Sequence, residues 1–316
     1  MVFPVSGVEV HPVVPFLVAL VVSFFTSMGG VSGAFLLLPF QVSVLGFASP
    51  AVSPTNLVFN IVAIPSGVYR YIREGRMAWP LTWVVIVGTL PGVFIGAFLR
   101  IQYLPDPKAF KLFAGCVLLY IGVRLLYDLW RPRPGMKALE QKFNERVAAL
   151  KQARQTRMAA GLPPEAVVRT LKFTPSRIAY EFYGETFEFS TWGIFALSFI
   201  VGVVGGTYGI GGGAIVAPFF VAVFGLPVYT VAGAALMGTF ITSVAGVLFY
   251  MLIAPWYPQQ AIAPDWLLGL LFGLGGMAGM YLGARMQKFV PAKIIKIILA
   301  AILLYLAGSY IIGFFR

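Results

Sequence analysis

The residues best suited to bind something lie in two glycine clusters. One is Gly29-Gly30-Val31-Ser32-Gly33 and the other is Gly209-Ile210-Gly211-Gly212-Gly213. Each interrupts a long apolar stretch; the second lies in an uncharged region from Thr191 to Tyr250. Each glycine weakens a helix by roughly 1 kcal/mol relative to alanine, so both clusters read as helix breaks. Broken backbone at membrane depth survives only where protein buries it or where it lines a cavity. The arms that resume at Gly33 and near Gly212 would present helix N-termini there. Such ends carry about half a positive charge and free N–H groups, and glycine lets a ligand approach without a Cβ in the way. This chemistry suits an oxyanion, held without a buried Lys or Arg, whose desolvation is costly.

Neutral donors flank the breaks. Asn56 and Asn60 are one helical turn apart and share a face, with Thr55 adjacent; Thr239, Thr242 and Ser243 lie in the corresponding helix after the second break. The substrate-binding candidates are Gly30, Ser32, Gly33, Thr55, Asn56, Asn60, Gly209, Gly211, Gly212, Gly213, Thr239, Thr242 and Ser243. Apart from Asp265 at the very start of one segment, no Asp or Glu lies inside an apolar segment, and carboxylates are the usual intramembrane carriers of protons and cations. The only histidine, His11, precedes the first arm. Metal-ligand spacing, a catalytic triad and a phosphate loop are all missing. The reading is a non-enzyme without cofactor or metal. Gly88, Gly92 and Gly96, and likewise Gly275, Gly279 and Gly283, have the four-residue spacing of close helix packing.

The elements that must hold these residues are membrane helices. Of 316 residues, 59% are hydrophobic and 11% charged, with mean hydropathy +0.88, against about 25% charged in soluble domains. The basic excess, 23 Lys+Arg against 11 Asp+Glu, suits cytoplasmic loops and gives no reason to expect nucleic acid. Lone Cys116 sits in an apolar helix and reads as a buried, inert thiol. The arms on either side of each break are about 15 residues, short of the ~20 that span a bilayer. Further apolar segments run over about 49–71, 79–99, 109–127, 228–251, 265–284 and 293–313, with Arg100 placed in the loop after the third.

The segments repeat. A shift of 179 residues carries Gly30, Gly33, Pro39 and Tyr71 onto Gly209, Gly212, Pro218 and Tyr250. A shift of 187 carries Gly88, Gly92 and Gly96 onto Gly275, Gly279 and Gly283. The loop with Arg70, Arg73 and Arg76 should be cytoplasmic, whereas its counterpart, 252–265, has no Lys or Arg and should lie outside. The repeats are therefore expected to be inverted, a recurring transporter design. The fold class expected is an all-α polytopic membrane protein of two inverted repeats, each a broken-helix hairpin plus three spanning helices, with a cytoplasmic α+β insert. The boundaries are 1–128, 129–190 and 191–316, with both termini outside. Within the insert, 136–160 reads as a basic amphipathic helix resting on anionic lipid headgroups. Val167–Phe173, Arg177–Phe182 and Thr186–Phe189 are β-prone, with a turn at Tyr183-Gly184-Glu185, and read as a small hairpin.

The stretch Gly209 to Pro218, then Phe224-Gly225 and Ala234-Ala235-Leu236, resembles the TauE/SafE sulfite-exporter family of membrane permeases. The first repeat has a worn version, in Gly30-Val31-Ser32-Gly33, Pro39 and Pro54-Thr55-Asn56-Leu57. It departs from the family's form at Ser32, Ala34 and Asn56. The resemblance implies an inner-membrane permease for a small anion: sulfite, a sulfonate or another organosulfur anion. The alternative is a non-transporting scaffold or sensor acting through the basic insert.

Overall fold

A computed structural model describes residues 1–28, 32–47, 49–73, 75, 77–130, 167–182, 184–286 and 292–315. The first half holds α1 (Val13–Met28), α2 (Ala34–Ser43), α3 (Val52–Ala63), α4 (Pro65–Arg73), α5 (Trp79–Gln102) and α6 (Pro107–Trp130). Three strands follow: β1 (Arg169–Phe173), β2 (Arg177–Phe182) and β3 (Glu185–Ser190). The second half holds α7 (Thr191–Tyr208), α8 (Val216–Phe224), α9 (Val228–Ile253), α10 (Trp266–Met286) and α11 (Ala292–Phe315). Among the described residues, six helices are long and apolar enough to cross a membrane: α5, α6, α7, α9, α10 and α11. Leu17, Val21, Ile200 and Leu252 are exposed, as residues facing lipid would be. Trp79, Trp192, Trp256 and Trp266 mark helix ends, where aromatic residues meet the membrane interface.

Two helix pairs pack backbone against backbone, and glycine brings each together. Gly88, Gly92 and Gly96 of α5 lie against Phe195, Phe199 and Val203 of α7. Gly275, Gly279 and Gly283 of α10 lie against Phe16, Leu20 and Phe24 of α1. A methyl added at Gly92 would sit 2.5 Å from the Phe199 carbonyl oxygen; no side chain fits. The two sets correspond under the repeat shifts, since Phe16 plus 179 is Phe195 and Gly88 plus 187 is Gly275.

These contacts also set directions. In both pairs the partners ascend together, so α5 runs with α7 and α10 with α1. Gly269 and Gly273 of α10 meet Val58 and Val62 of α3, and Gly238 and Gly246 of α9 meet Val85 and Val93 of α5. Leu57 meets Gly246 while Gly67 meets Leu236, so α3 and α4 run against α9. Thus α1, α3 and α10 point one way, and α5, α7 and α9 the other. The equivalent arms α1 and α7 are opposed.

The segment expected over 49–71 is two helices. Pro65 has no N–H to continue the ladder, and α4 starts on it after a turn at Ile64. The hairpin arms are unequal, 16 and 10 residues in the first half and 18 and 9 in the second. Where α1, α3 and α10 begin, Asp265 acts as a clasp. It accepts from the backbone of Val5 (3.3 Å), the backbone of Ser6 (3.1 Å), the Ser6 hydroxyl (2.9 Å) and, at the start of α10, the Leu268 amide (3.2 Å).

The small hairpin is a three-stranded antiparallel meander, ordered β1-β2-β3. The run 167–173 adds a strand, pairing Arg169 with Glu181 and Phe173 with Ile178. Ile178, Tyr180 and Phe182 alternate along β2 and are buried. Tyr180 Oη meets Thr230 Oγ1 of α9 at 2.7 Å, which ties the sheet to the helices. Burial raises the Tyr180 phenol well above its usual range. The amphipathic helix expected over 136–160 lies outside the described residues. Cys116 is exposed, not buried: α6 meets α11 through Gly115 and Gly122, and the residue after Gly115 turns outward.

Candidate functional site

Asn56 and Asn60 join the two breaks. The Asn56 amide donates to the carbonyls of Ala34 (3.1 Å) and Gly209 (2.8 Å) and accepts from Gln41 Nε2 (3.2 Å). The Asn60 amide donates to the Ile210 carbonyl (2.9 Å) and Ser243 Oγ (3.2 Å) and accepts from the Ser32 hydroxyl (2.9 Å). Ser32 Oγ in turn accepts from the Ala34 amide at 3.3 Å. A broken helix exposes carbonyls and amides that no longer pair along the chain. Here one face of α3 supplies partners for both broken ends.

At the second break, Gly209 caps α7 in the left-handed conformation, φ 81°, and Gly211 repeats it at φ 83°. Residues with a Cβ rarely adopt either. Thr242 Oγ1 accepts from the Gly212 amide at 3.1 Å. Thr239 and Thr242 donate to carbonyls of their own helix, Ala235 and Gly238, at 2.8 and 2.7 Å. The amides of Gly211, Gly213 and Ile215 have no hydrogen-bond partner among the described residues. All three residues are buried. They lead into α8, which begins at Val216 and so starts four residues later than the glycines suggest.

The structure thus brings together Ser32, Gly33, Asn56, Asn60, Gly209, Gly211, Gly212, Gly213, Thr239, Thr242 and Ser243. Gly30 lies outside the described residues. Thr55 is set apart: its hydroxyl accepts from the Asp265 amide at 2.9 Å and belongs to the clasp. The glycine Cα faces are covered by neighbouring helices rather than open. Added methyls would meet Ser53 at Gly209, Thr89 at Gly212 and the Ala235 carbonyl at Gly213.

Three polar groups around the breaks were not read from the sequence. Gln41 bonds Asn56, and its Oε1 is buried without a partner among the described residues; a lone amide in an apolar arm was the available signal. Ser23 Oγ, likewise without a partner among the described residues, faces Gly33. Arg100 is not in a loop. It occupies the last turn of α5, wholly buried, because the helix runs to Gln102, past the apolar boundary at Leu99. A buried arginine therefore stands near the second break, where only backbone amides and neutral side chains were expected.

With this geometry in place, a family model for the sulfite exporter TauE/SafE matches residues 15–310. The chain belongs to the TauE/SafE family. The TauE/SafE match takes in both hairpins and both helix pairs. Among curated proteins the chain is similar to the probable membrane transporter protein YunE of Bacillus subtilis (strain 168). The two are 22% identical over 257 residues, 81% of this chain and 79% of the relative. No solved structure gives a significant match. Membership of the TauE/SafE family makes this chain a membrane transporter.

Proposed function

We propose that the chain is a secondary carrier of a small anion, namely sulfite, a sulfonate or another organosulfur anion, by alternating access around the paired breaks. The observation that carries this is the row of unpaired, buried amides at Gly211, Gly213 and Ile215, heading α8. Leaving a buried donor unmade costs about 1–3 kcal/mol, and a helix N-terminus favours negative charge. An oxyanion offers the missing acceptors. The opposed directions of α1 and α7 support the inverted-repeat reading. Burial of every described candidate supports a closed state that must open to either side. In this reading the basic insert is cytoplasmic, against anionic headgroups, and both termini lie outside an inner membrane.

The test is flux in proteoliposomes holding the purified full-length chain. Labelled sulfite, sulfoacetate, taurine and thiosulfate are offered one at a time. Saturable movement of at least one is expected, and no movement of any refutes the proposal.

A further inference from the structure

Arg100 heads the largest wholly buried side chains among the described residues. Its guanidinium lies over the Phe110 ring, 3.8 Å from the centroid, and Nη1 donates to the Leu104 carbonyl. Nε and Nη2 have no partner, and no carboxylate pairs with the group among the described residues. Those two nitrogens form one edge of the guanidinium, with parallel N–H bonds. That edge grips two oxygens of a carboxylate, sulfonate or phosphate at once. Capping the end of α5 through Leu104 uses only Nη1, so a structural role leaves this edge unexplained. A buried charge without a partner is strongly unfavourable.

Two more donors adjoin it. Tyr250 Oη lies within electrostatic reach of Arg100 and beside Ser53 Oγ; short of a well-formed bond between the two, neither hydroxyl has a partner among the described residues. Ser53 also abuts the second break, since a methyl on Gly209 would sit 2.7 Å from Ser53 Oγ. Gly209 is the C-terminal end of α7, whose dipole repels anions. The fixed cation of Arg100, linked to that end through Tyr250 and Ser53, offsets that repulsion.

We infer that Arg100, Tyr250 and Ser53 form a binding site for a small oxyanion, set beside the second break at the end of the bundle where α5 finishes. The oxyanion takes the Nε–Nη2 edge with two oxygens and the hydroxyls with its remaining acceptor capacity. The site is distinct from the amides heading α8. It rests on the anion-carrier reading and adds to it the residue that recognises charge.

The experiment measures thermal unfolding of the full-length protein in detergent with sodium sulfite, sodium acetate or, for ionic strength, sodium chloride. Sulfite should raise the midpoint of the wild type more than chloride does. Arg100→Gln should fold at least as well without ligand and lose that shift. Arg100→Lys keeps the charge but not the fork, and Tyr250→Phe removes one donor; each should weaken sulfite about tenfold or more. An unchanged sulfite shift in Arg100→Gln overturns the site. Should that variant not fold, unchanged affinity in both Arg100→Lys and Tyr250→Phe overturns it. Flux separates the two proposals. A wild type that moves no anion defeats the carrier reading, whereas transport with the same KM in wild type and Arg100→Gln defeats this site alone.

Discussion

Asn60→Ala is the sharpest test of how the two breaks are held. Asn60 makes three bonds: from Ser32 at 2.9 Å, to the Ile210 carbonyl at 2.9 Å and to Ser243 at 3.2 Å. Interhelical hydrogen bonds in membranes contribute about 0.6 kcal/mol on average and up to ~1.7. Three of them give roughly 2–5 kcal/mol, the upper part applying because Asn60 has no exposed surface and water cannot replace it. Ser243→Ala alone removes one bond and should cost about 0.6 kcal/mol. Their costs should not add, because Asn60→Ala already breaks the bond that Ser243→Ala removes. The double mutant should fall short of the sum by about the value of that bond. Reversible unfolding in mixed micelles measures all four proteins. An Asn60→Ala variant within about 0.5 kcal/mol of wild type, with additive costs, would mean that α3 does not join the breaks.

Gly275→Leu should force α10 off the Phe16 carbonyl of α1 and cost about 3 kcal/mol, the upper range for overpacking. Gly308→Leu, where nothing lies within 4 Å, should stay within about 0.5 kcal/mol. Equal losses in the two unfolding curves would rule out glycine-mediated contact between α1 and α10. For the sheet, burial raises the folded-state Tyr180 pKa above the unfolded value, so the neutral phenol is the form that docks. Docking should be at full strength below about pH 10, the unfolded value, and weaken as pH rises past it. Hydrogen exchange across 177–190 reads this, and Tyr180→Phe should remove the pH dependence. The same dependence in both proteins would discard the idea.

Much of the frame was legible because its signals are local. Glycine at four-residue spacing says that a helix face has no side chains, and Gly88, Gly92, Gly96 and their counterparts do pack backbone to backbone. The strand runs kept nearly their expected limits, since Gly184 has φ 74° and bounds β2 from β3. Long-range pairing was not legible. Residues 167–173 could join the sheet or not, and β2 decides it by offering its free edge. Helix length near a boundary was also hidden. An arginine after Leu99 suggests water, but Phe110, fully buried in α6, covers it.

Within the site the division is the same. The types and spacing of Asn56, Asn60, Thr239, Thr242 and Ser243 marked them as donors on helix faces. Which carbonyl each meets depends on two breaks 179 residues apart in sequence, and only packing sets that. Thr55 shows the limit: adjacent to Asn56, it points a helical step away and serves Asp265 instead. By itself, the sequence determined the membrane class and the family and marked where both hairpins are interrupted, all carried by composition and short-range spacing. The tertiary structure alone decided which amides at the second break stay unpaired, that glycine faces are covered, and that Arg100 lies inside with one edge free. Those are properties of what surrounds a group after folding, and no residue type or interval specifies its neighbours across the bundle.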